Sequence, residues 1–142
     1  MSGTDIIHGL YPEAQAAVAA RIQEIMDAVK AKDVELLESH HLWGPKFSKY
    51  DEDPPGRQDA EMTRQIEREL VEGATSLDFR ASDIKVDVFG QVAVATFVLD
   101  YSATMPDDQE FSASQRSTLV FVDTGSDWKI VHEHFSPVPG AA

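Results

Sequence analysis

The stretch WKIVHEHFS, residues 128–136, alternates between two sets of side chains near the end of the chain. A period of two is typical of a half-buried β-strand, because successive side chains of a strand point to opposite faces. Strict alternation predicts one face that carries Trp128, Ile130, His132 and His134. The other face then carries Lys129, Val131, Glu133 and Phe135. A face that begins with apolar side chains and ends with two imidazoles is expected to line a pocket.

Three further strands precede this one, at residues 77–89, 91–104 and 111–122, each rich in β-branched and aromatic residues. The short connections between them predict antiparallel hairpins. The strand VAVATFVLDY, residues 92–101, is apolar on both faces, whereas a sheet with one face in water alternates more cleanly. We therefore expect one face of the sheet to pack under helices and the other to meet a second subunit in a homodimer.

Helical periodicity predicts three helices ahead of the sheet. The first spans residues 11–30 and buries Val18, Ile22, Ile25, Met26 and Val29. The second is VELLESHH, residues 34–41, which begins after the capping residue Asp33 and buries Leu36 and Leu37. The third spans about residues 58–72 and buries Met62, Ile66 and Leu70, and a short strand at residues 47–50 precedes it. Helices followed by a meander of strands are typical of an α+β fold, and we expect a single domain over residues 1–142.

The composition argues against several classes of protein. Asp and Glu number 25 against 12 Lys and Arg, a net charge of −13, so a nucleic acid or an anionic membrane surface would be repelled. No apolar run approaches the roughly 20 residues that a membrane helix needs, and the N-terminus lacks the basic and apolar regions of a signal peptide. The chain has no Cys, which excludes disulfides and a thiolate nucleophile. We expect a cytoplasmic protein with neither nucleic acid nor membrane as a partner.

The order of three helices and a bent antiparallel sheet that ends in W-x-I-V-H-x-H-x-S resembles the nuclear transport factor 2-like superfamily, in particular its SnoaL-like and ketosteroid-isomerase-like branch. The segments GQVAVATF, RSTLVFVD and WKIVHEHFS also resemble the association domain of calcium/calmodulin-dependent protein kinase II. The resemblance extends over about residues 14–137. It implies a cone-shaped α+β barrel, usually dimeric, with a pocket between the concave sheet face and the helices. A fold of this kind hosts many functions, so the resemblance does not carry a reaction with it.

Three residues are candidates for catalysis. His132 and His134 are predicted to act as general acid and base, because imidazole titrates near neutral pH; alternatively, both are simply hydrogen-bonded in a partly polar interior. Arg116 lies at the start of the apolar run TLVFV, where a guanidinium needs an anionic partner. That partner is either a substrate carboxylate or enolate, or one of three carboxylates of the chain itself: Glu133, Asp100 or Glu110.

The pocket walls are predicted to include seven further residues: Trp43, Phe47, Tyr50, His40, His41, Trp128 and Asp100. One of the two adjacent histidines is expected to face inward and the other to face water. Either of them, together with His132 and His134, would offer nitrogen ligands to zinc or iron. No spacing in the chain matches a known metal motif, so we predict no metal and no other cofactor.

Two other sets of polar residues do not predict a catalytic site. Ketosteroid isomerases need a carboxylate base with an oxyanion hole of Tyr and a protonated acid. Tyr50-Asp51 and Asp100-Tyr101 do not match that constellation residue by residue. The charged side chains of the third helix are interpreted as a solvated surface: Glu61, Arg64, Glu67, Arg68 and Glu72.

Two hypotheses follow for function. The first is a SnoaL-like pocket protein that, if it is an enzyme, acts as a cofactor-free isomerase, cyclase or dehydratase of a hydrophobic carbonyl compound. In it His134 or His132 moves the proton and Arg116 steadies the oxyanion. The second is a non-catalytic ligand-binding or assembly module that resembles the kinase association domain. In both, the partners are a small hydrophobic or carboxylate-bearing ligand and a second copy of the chain.

Overall fold

Five strands form one curved sheet in the order β1-β5-β4-β3-β2, with three helices on its concave side. The computed structural model describes residues 5–140. Its helices are α1 (Pro12–Lys30), α2 (Val34–Ser39) and α3 (Ala60–Gly73). Its strands are β1 (Ser48–Tyr50), β2 (Ser76–Phe89), β3 (Val92–Thr104), β4 (Glu110–Asp123) and β5 (Trp128–Pro137). The predicted α+β class and the antiparallel meander β2 to β5 are confirmed, and β1 joins β5 in parallel.

The two N-terminal helices follow from local sequence signals. Pro12 occupies the first turn of α1, and all five side chains that were predicted to face the core are buried. The Asp33 carboxylate accepts a hydrogen bond from the Leu36 amide at 3.1 Å and so caps α2. The prediction for Leu36 was wrong, since only its neighbour Leu37 is buried. The helix also ends at Ser39, so His40 and His41 belong to the extended segment that follows.

Helix α3 presents a different face to the core from the one that hydrophobicity predicts. Met62 is 43% exposed and Leu70 is 38% exposed, whereas Thr63 and Val71 are buried and the Glu67 side chain is only 13% exposed. The inward stripe is therefore polar at its centre. Polar tertiary partners explain this orientation: the Thr63 hydroxyl donates to the Gln58 side chain at 3.0 Å, and Glu67 meets a buried histidine.

The inner face of the sheet is the floor of the core. Ala93, Ala95, Phe97 and Leu99 of β3 are buried there, opposite Gln115, Ser117, Leu119 and Phe121 of β4. The sequence prediction of a strand that is apolar on both faces holds for β3. The inner side chains pack under the helices, while Val92, Val94 and Val98 lie on the outer face and are partly or fully exposed.

A β-bulge divides β5 into two halves. Phe121 pairs with Ile130, but the next residue of β4, Val120, pairs with His132, so Val131 is an extra residue in the ladder. An extra residue exchanges the two faces of every residue that follows it. Ile130 therefore faces the core, whereas His132 and His134 face outward and Glu133 faces inward beside Leu119. The prediction that Ile130 shares a face with both histidines was wrong for this reason.

Candidate active site

The inward turn of β5 places Glu133 in a buried cluster of ionisable side chains. Its neighbour across the parallel β1 pair is Lys49, and both side chains point toward the helices. The carboxylate oxygen Oε1 of Glu133 lies 3.1 Å from Nε2 of His41. Glu67 reaches the same nitrogen from α3, with Oε2 at 3.5 Å. We call His41, Lys49, Glu67 and Glu133 the buried cluster.

His41 is fixed in position from three sides. Its Nδ1 donates a hydrogen bond to the Leu37 carbonyl at 2.9 Å, which leaves Nε2 aimed at the two carboxylates. The Trp43 ring stacks on the imidazole with centroids 4.4 Å apart and an angle of 7° between the planes. Phe47 packs at the edge of both rings. The imidazole is thus oriented before any ligand enters.

Lys49 brings a second positive charge to the buried cluster. Its side chain is 12% exposed, and Nζ lies 3.6 Å from an oxygen of Asp51 and 5.0 Å from the centre of the Phe135 ring. Burial disfavours the charged ammonium, but Glu133 and Asp51 outweigh it and raise the pKa of Lys49. The ammonium therefore persists in the interior, within a protein whose net charge is −13.

The protonation states of the other three members follow from the same competition. Burial opposes the imidazolium of His41, yet Glu133 and Glu67 outweigh burial and raise the pKa of His41 to about 9. Burial also opposes the carboxylate of Glu133, but Lys49 and His41 hold its pKa well below the ordinary value. For Glu67 burial prevails over the attraction of His41, and its pKa rises to about 7. Near pH 7 both protonation states of Glu67 are therefore populated.

One side-chain oxygen of Glu67 lacks a hydrogen-bond partner among the described residues. Its Oε1 is buried and has no hydrogen-bond partner among residues 5–140, whereas Oε2 faces His41. A buried polar atom without a partner is rare and costs roughly 1–3 kcal/mol, so it requires an explanation. A substrate proton or hydroxyl at this oxygen would satisfy it. The buried cluster is therefore the candidate active site.

The same cluster contains the donor atoms of a metal site. Ligand atoms of His41, Glu67 and Glu133 all lie within 4.8 Å of one another. One imidazole nitrogen with two carboxylate oxygens suits several divalent ions. However, the Nε2 proton of His41 and the Lys49 ammonium already supply positive charge between these carboxylates, and an ion would have to displace that proton. We therefore describe the cluster as an acid–base group and assign no ion to it.

The three residues predicted to be catalytic lie on the outer face of the sheet, away from the buried cluster. His132 is half-buried and shares a hydrogen bond of 2.9 Å with the Ser48 hydroxyl. His134 is exposed, and its ring centre lies 5.8 Å from that of Tyr50. Arg116 is exposed as well, and it lines one depression of about 430 Å³ together with His134. Arg116 and His134 are thus brought together, while their role in catalysis stays a prediction.

Predicted pocket residues divide between three places. His41 and Phe47 are buried in the interior, and Trp43 packs against the core. Tyr50 and Asp100 face outward, and Asp100 accepts a hydrogen bond from the Ser114 hydroxyl. Trp128 is partly buried against the core at the start of β5.

His40 does not face water, contrary to the expectation for one of the two histidines. It is buried against α1, where the Arg21 guanidinium donates to its Nδ1 at 2.8 Å and also pairs with Asp127. Burial, reinforced by the charge of Arg21, lowers the pKa of His40 to about 4. The ring is neutral near pH 7 and holds the extended segment to α1. Of the adjacent pair, His41 is the histidine of the candidate site.

Three members of the buried cluster were not predicted. Glu67 was assigned to a solvated helix face, Glu133 to the strand face opposite the predicted pocket as one of three candidate partners of Arg116, and Lys49 was not singled out. The stripe of Thr63, Glu67 and Val71 at intervals of four residues was the available signal for Glu67, but the more apolar stripe of α3 competed with it. The alternation of side chains in the sequence does not predict the bulge that turns Glu133 inward.

Comparison with known proteins identifies the class of fold. A proposed dehydratase of the NTF2-like family from Streptomyces avermitilis superposes with a TM-score of 0.77 at 20% identity, over 88% of this chain and 96% of that chain. A proposed scytalone dehydratase from Novosphingobium aromaticivorans gives 0.78 at 11% identity, over 97% and 89%. A proposed calcium/calmodulin-dependent protein kinase II association domain from Xanthomonas campestris gives 0.72 at 15% identity, over 87% and 86%. The fold is therefore that of the nuclear transport factor 2-like superfamily.

The family follows from the sequence itself. The profile of the SnoaL-like domain matches residues 18–140, and the chain belongs to that family. The resemblance that the sequence suggested is confirmed. No curated protein matches the chain. Within residues 5–140 no helix is long and apolar enough to cross a membrane.

Proposed function

We propose that the protein is a cofactor-independent acid–base enzyme that acts on a small hydrophobic carbonyl compound, as an isomerase, cyclase or dehydratase. One observation carries the proposal: the buried, unpartnered Oε1 of Glu67, next to the imidazolium of His41. A carboxyl with a pKa near the working pH is suited to proton transfer, because both of its protonation states are populated.

The roles of the cluster follow from its charges. Glu67 as carboxylate takes a proton from the carbon next to the substrate carbonyl, and the electron pair of that C–H bond moves onto the carbonyl oxygen. The cations His41 and Lys49 stabilise the resulting enolate. Return of the proton to another carbon gives an isomer, whereas departure of a β-hydroxyl as water, with a proton from Glu67 or His41, gives a dehydrated product. Glu133 keeps His41 and Lys49 charged.

The similar structures support this class without defining it. Two of them are described as proposed dehydratases, and dehydration of a hydroxycarbonyl compound uses the proton transfers set out above. Their identities of 20% and 11% are too low to transfer a substrate. The support is therefore for acid–base chemistry as a class of reaction.

Exchange of carbon-bound protons tests the proposal without a known substrate. In D2O, the protein is expected to speed deuterium incorporation next to the carbonyl of cyclohexanone, as followed by NMR. Glu67→Gln should reduce the protein-dependent rate at least about a hundredfold, since general-base catalysis contributes roughly that much. Glu61→Gln, on an exposed position of α3, is the matched control. Equal rates in the Glu67→Gln variant and the parent protein would refute the role of Glu67.

The residues predicted from the sequence provide a rival site for the same chemistry. His134, His132 and Arg116 stay the candidates if catalysis takes place on the outer face of the sheet. His134→Ala and Arg116→Ala should then abolish exchange while Glu67→Gln leaves it intact. The opposite pattern supports the buried cluster, and the absence of protein-dependent exchange in the parent protein supports a non-catalytic binding module.

We also propose a homodimer, because half of the outer sheet face is apolar and stays partly exposed among residues 5–140. Cross-strand pairs place Val92 beside Val122 and Val94 beside Val120, with the partly exposed Phe89 at the edge. Apolar surface of this kind on a single chain is typical of an interface. The proposal keeps the second copy that the sequence predicted and commits it to this half of the face.

A further inference from the structure

The other half of the outer sheet face is polar. Next to the valines, Thr96 pairs with Thr118, and Thr118 pairs with His134. In the following row Val98 pairs with Arg116, and Arg116 pairs with Ser136. These side chains line the depression of about 430 Å³, whose only acidic lining residue is Asp83.

The arginines of the chain differ in whether they have an ion-pair partner. Four of the six are paired with carboxylates: Arg21 with Asp127, Arg64 and Arg68 with Glu38, and Arg80 with Asp78. The side chains of Arg57 and Arg116 form no ion pair or hydrogen bond with any of residues 5–140. Acidic side chains outnumber basic ones by 25 to 12, so carboxylates are abundant. Two arginines left free in such a chain are available for an external anion.

Both free arginines lie near His134. The guanidinium of Arg57 sits 5.4 Å from the centre of the Tyr50 ring, and that ring lies 5.8 Å from the ring of His134. Arg116 lines the same depression as His134. The side chain of Val98 lines it as well and offers apolar contact.

We propose that this depression binds a small carboxylate with an apolar body, held by Arg116 and steered by Arg57. A guanidinium matches a carboxylate with two parallel N–H···O bonds, and the hydroxyls of Thr118 and Ser136 supply further donors. The carboxylate of Asp83 favours a singly charged ligand, because it repels a phosphate dianion more strongly. The site lies on the opposite face of the sheet from Glu67, so it goes beyond the proposed function and is independent of it.

Calorimetric titration of the full chain tests the proposal, with benzoate as the probe. Benzoate is expected to bind, whereas benzyl alcohol, which has the same ring without the charge, does not. Arg116→Gln should weaken benzoate binding at least about tenfold, the usual scale of a charge-assisted bidentate contact. Arg57→Gln should weaken it less. Arg80→Gln, another exposed arginine on the sheet, should leave the affinity unchanged.

Three results would overturn the proposal. Benzoate could bind the parent protein and Arg116→Gln equally, or inorganic phosphate could bind more tightly than benzoate. In the third, benzoate fails to bind, and Arg116→Gln converts a dimer to a monomer in sedimentation velocity; Arg116 then pairs with a second copy of the chain. Backbone NMR shifts at Thr118 and His134 on addition of benzoate, absent from Arg116→Gln, would support the site directly.

Discussion

Nε2 of His41 lies 3.1 Å from the carboxylate of Glu133, although the two residues are 92 positions apart and Glu133 stands between two outward-facing histidines. The contact exists because one extra residue, Val131, turns the second half of β5 over. It joins the segment after α2 to the last strand, and it supplies the imidazolium with its counter-ion. The chemistry proposed for the protein depends on this pair, because it leaves Glu67 as the group that can exchange a proton.

The pH dependence of proton exchange should report the ionisation of Glu67. The carboxylate is the active base, and burial raises the pKa of Glu67 to about 7. The rate is therefore expected to fall about tenfold for each unit below pH 7, to be highest between pH 7 and pH 9, and to fall again above pH 9, where the His41 imidazolium loses its proton. A rate–pH profile for cyclohexanone exchange measures this. A fall centred near pH 4, as for an exposed glutamate, would contradict the assignment.

Stability should decline in mildly alkaline solution because of His41. Its folded pKa is raised from 6.5 to about 9, so its contribution is fully present below about pH 6.5 and is lost as the pH rises through 9. Glu67 acts in the same direction between its ordinary pKa of 4.5 and about 7. Urea unfolding at pH 6 and pH 9.5 should show a lower free energy of unfolding at the higher pH.

Removal of the imidazole separates this effect from general alkaline destabilisation. His41→Ala leaves Glu133 and Glu67 buried together with less positive charge, which is expected to cost about 3 kcal/mol at pH 6. In a Glu67→Gln background, which removes the titration of the neighbouring carboxyl, His41→Ala should also lose most of the pH dependence between 6.5 and 9. His8→Ala, at an exposed position near the N-terminus, is the control. A pH dependence that is unchanged in His41→Ala would assign it to other groups.

The orientation of α3 can be tested by two truncations. Val71 is buried and Leu70 is 38% exposed. Val71→Ala should lower the free energy of unfolding by about 2 kcal/mol, whereas Leu70→Ala should lower it by less than about 1 kcal/mol, although leucine loses more atoms. Denaturant titration of both variants gives the comparison. A larger loss for Leu70→Ala would restore the face that hydrophobicity predicts.

The proposed dimer depends on the apolar half of the outer face. Val120→Lys places a charge beside Val94, across the centre of that half, and should convert the dimer to a monomer. Sedimentation velocity measures the change. Leu36→Lys, which alters an apolar residue exposed on α2, should leave the dimer intact. If Val120→Lys remains dimeric and Leu36→Lys does not, the interface lies on the helices.

Several predictions made from local sequence patterns were accurate, although those for Leu36, for the buried face of α3 and for β5 were not. The buried face of α1 follows from five apolar residues at helical spacing, and Asp33 caps α2 through a contact only three residues away. The strands β2 to β4 follow from β-branched residues with short turns between them. The uncovered outer face follows from β3, which is apolar on both sides. Each of these depends on neighbours within a few positions along the chain.

The candidate site could not be predicted in the same way. His41 was singled out, but its partners Glu67 and Glu133 were assigned to surfaces. In α3, hydrophobicity predicts that the face with Met62 is buried, but the face with Thr63 and Glu67 is the buried one. The contact of Glu67 with His41, which is distant along the chain, favours this orientation. In β5 the side chains do alternate between the two faces, but the bulge at Val131 interrupts the alternation once.

The amino-acid sequence by itself determined the α+β class, the order of the elements and the family, because these depend on periodicity, caps and turns that act locally. Only the tertiary structure decided which side chains meet. A single inserted residue in a strand exchanges its faces, and a rotation of one position turns a helix by about 100°. Neither change alters the local pattern appreciably. The bulge in β5 and the orientation of α3 both bury a carboxylate, and a buried carboxylate needs a positive charge nearby. His41 and Lys49 supply that charge.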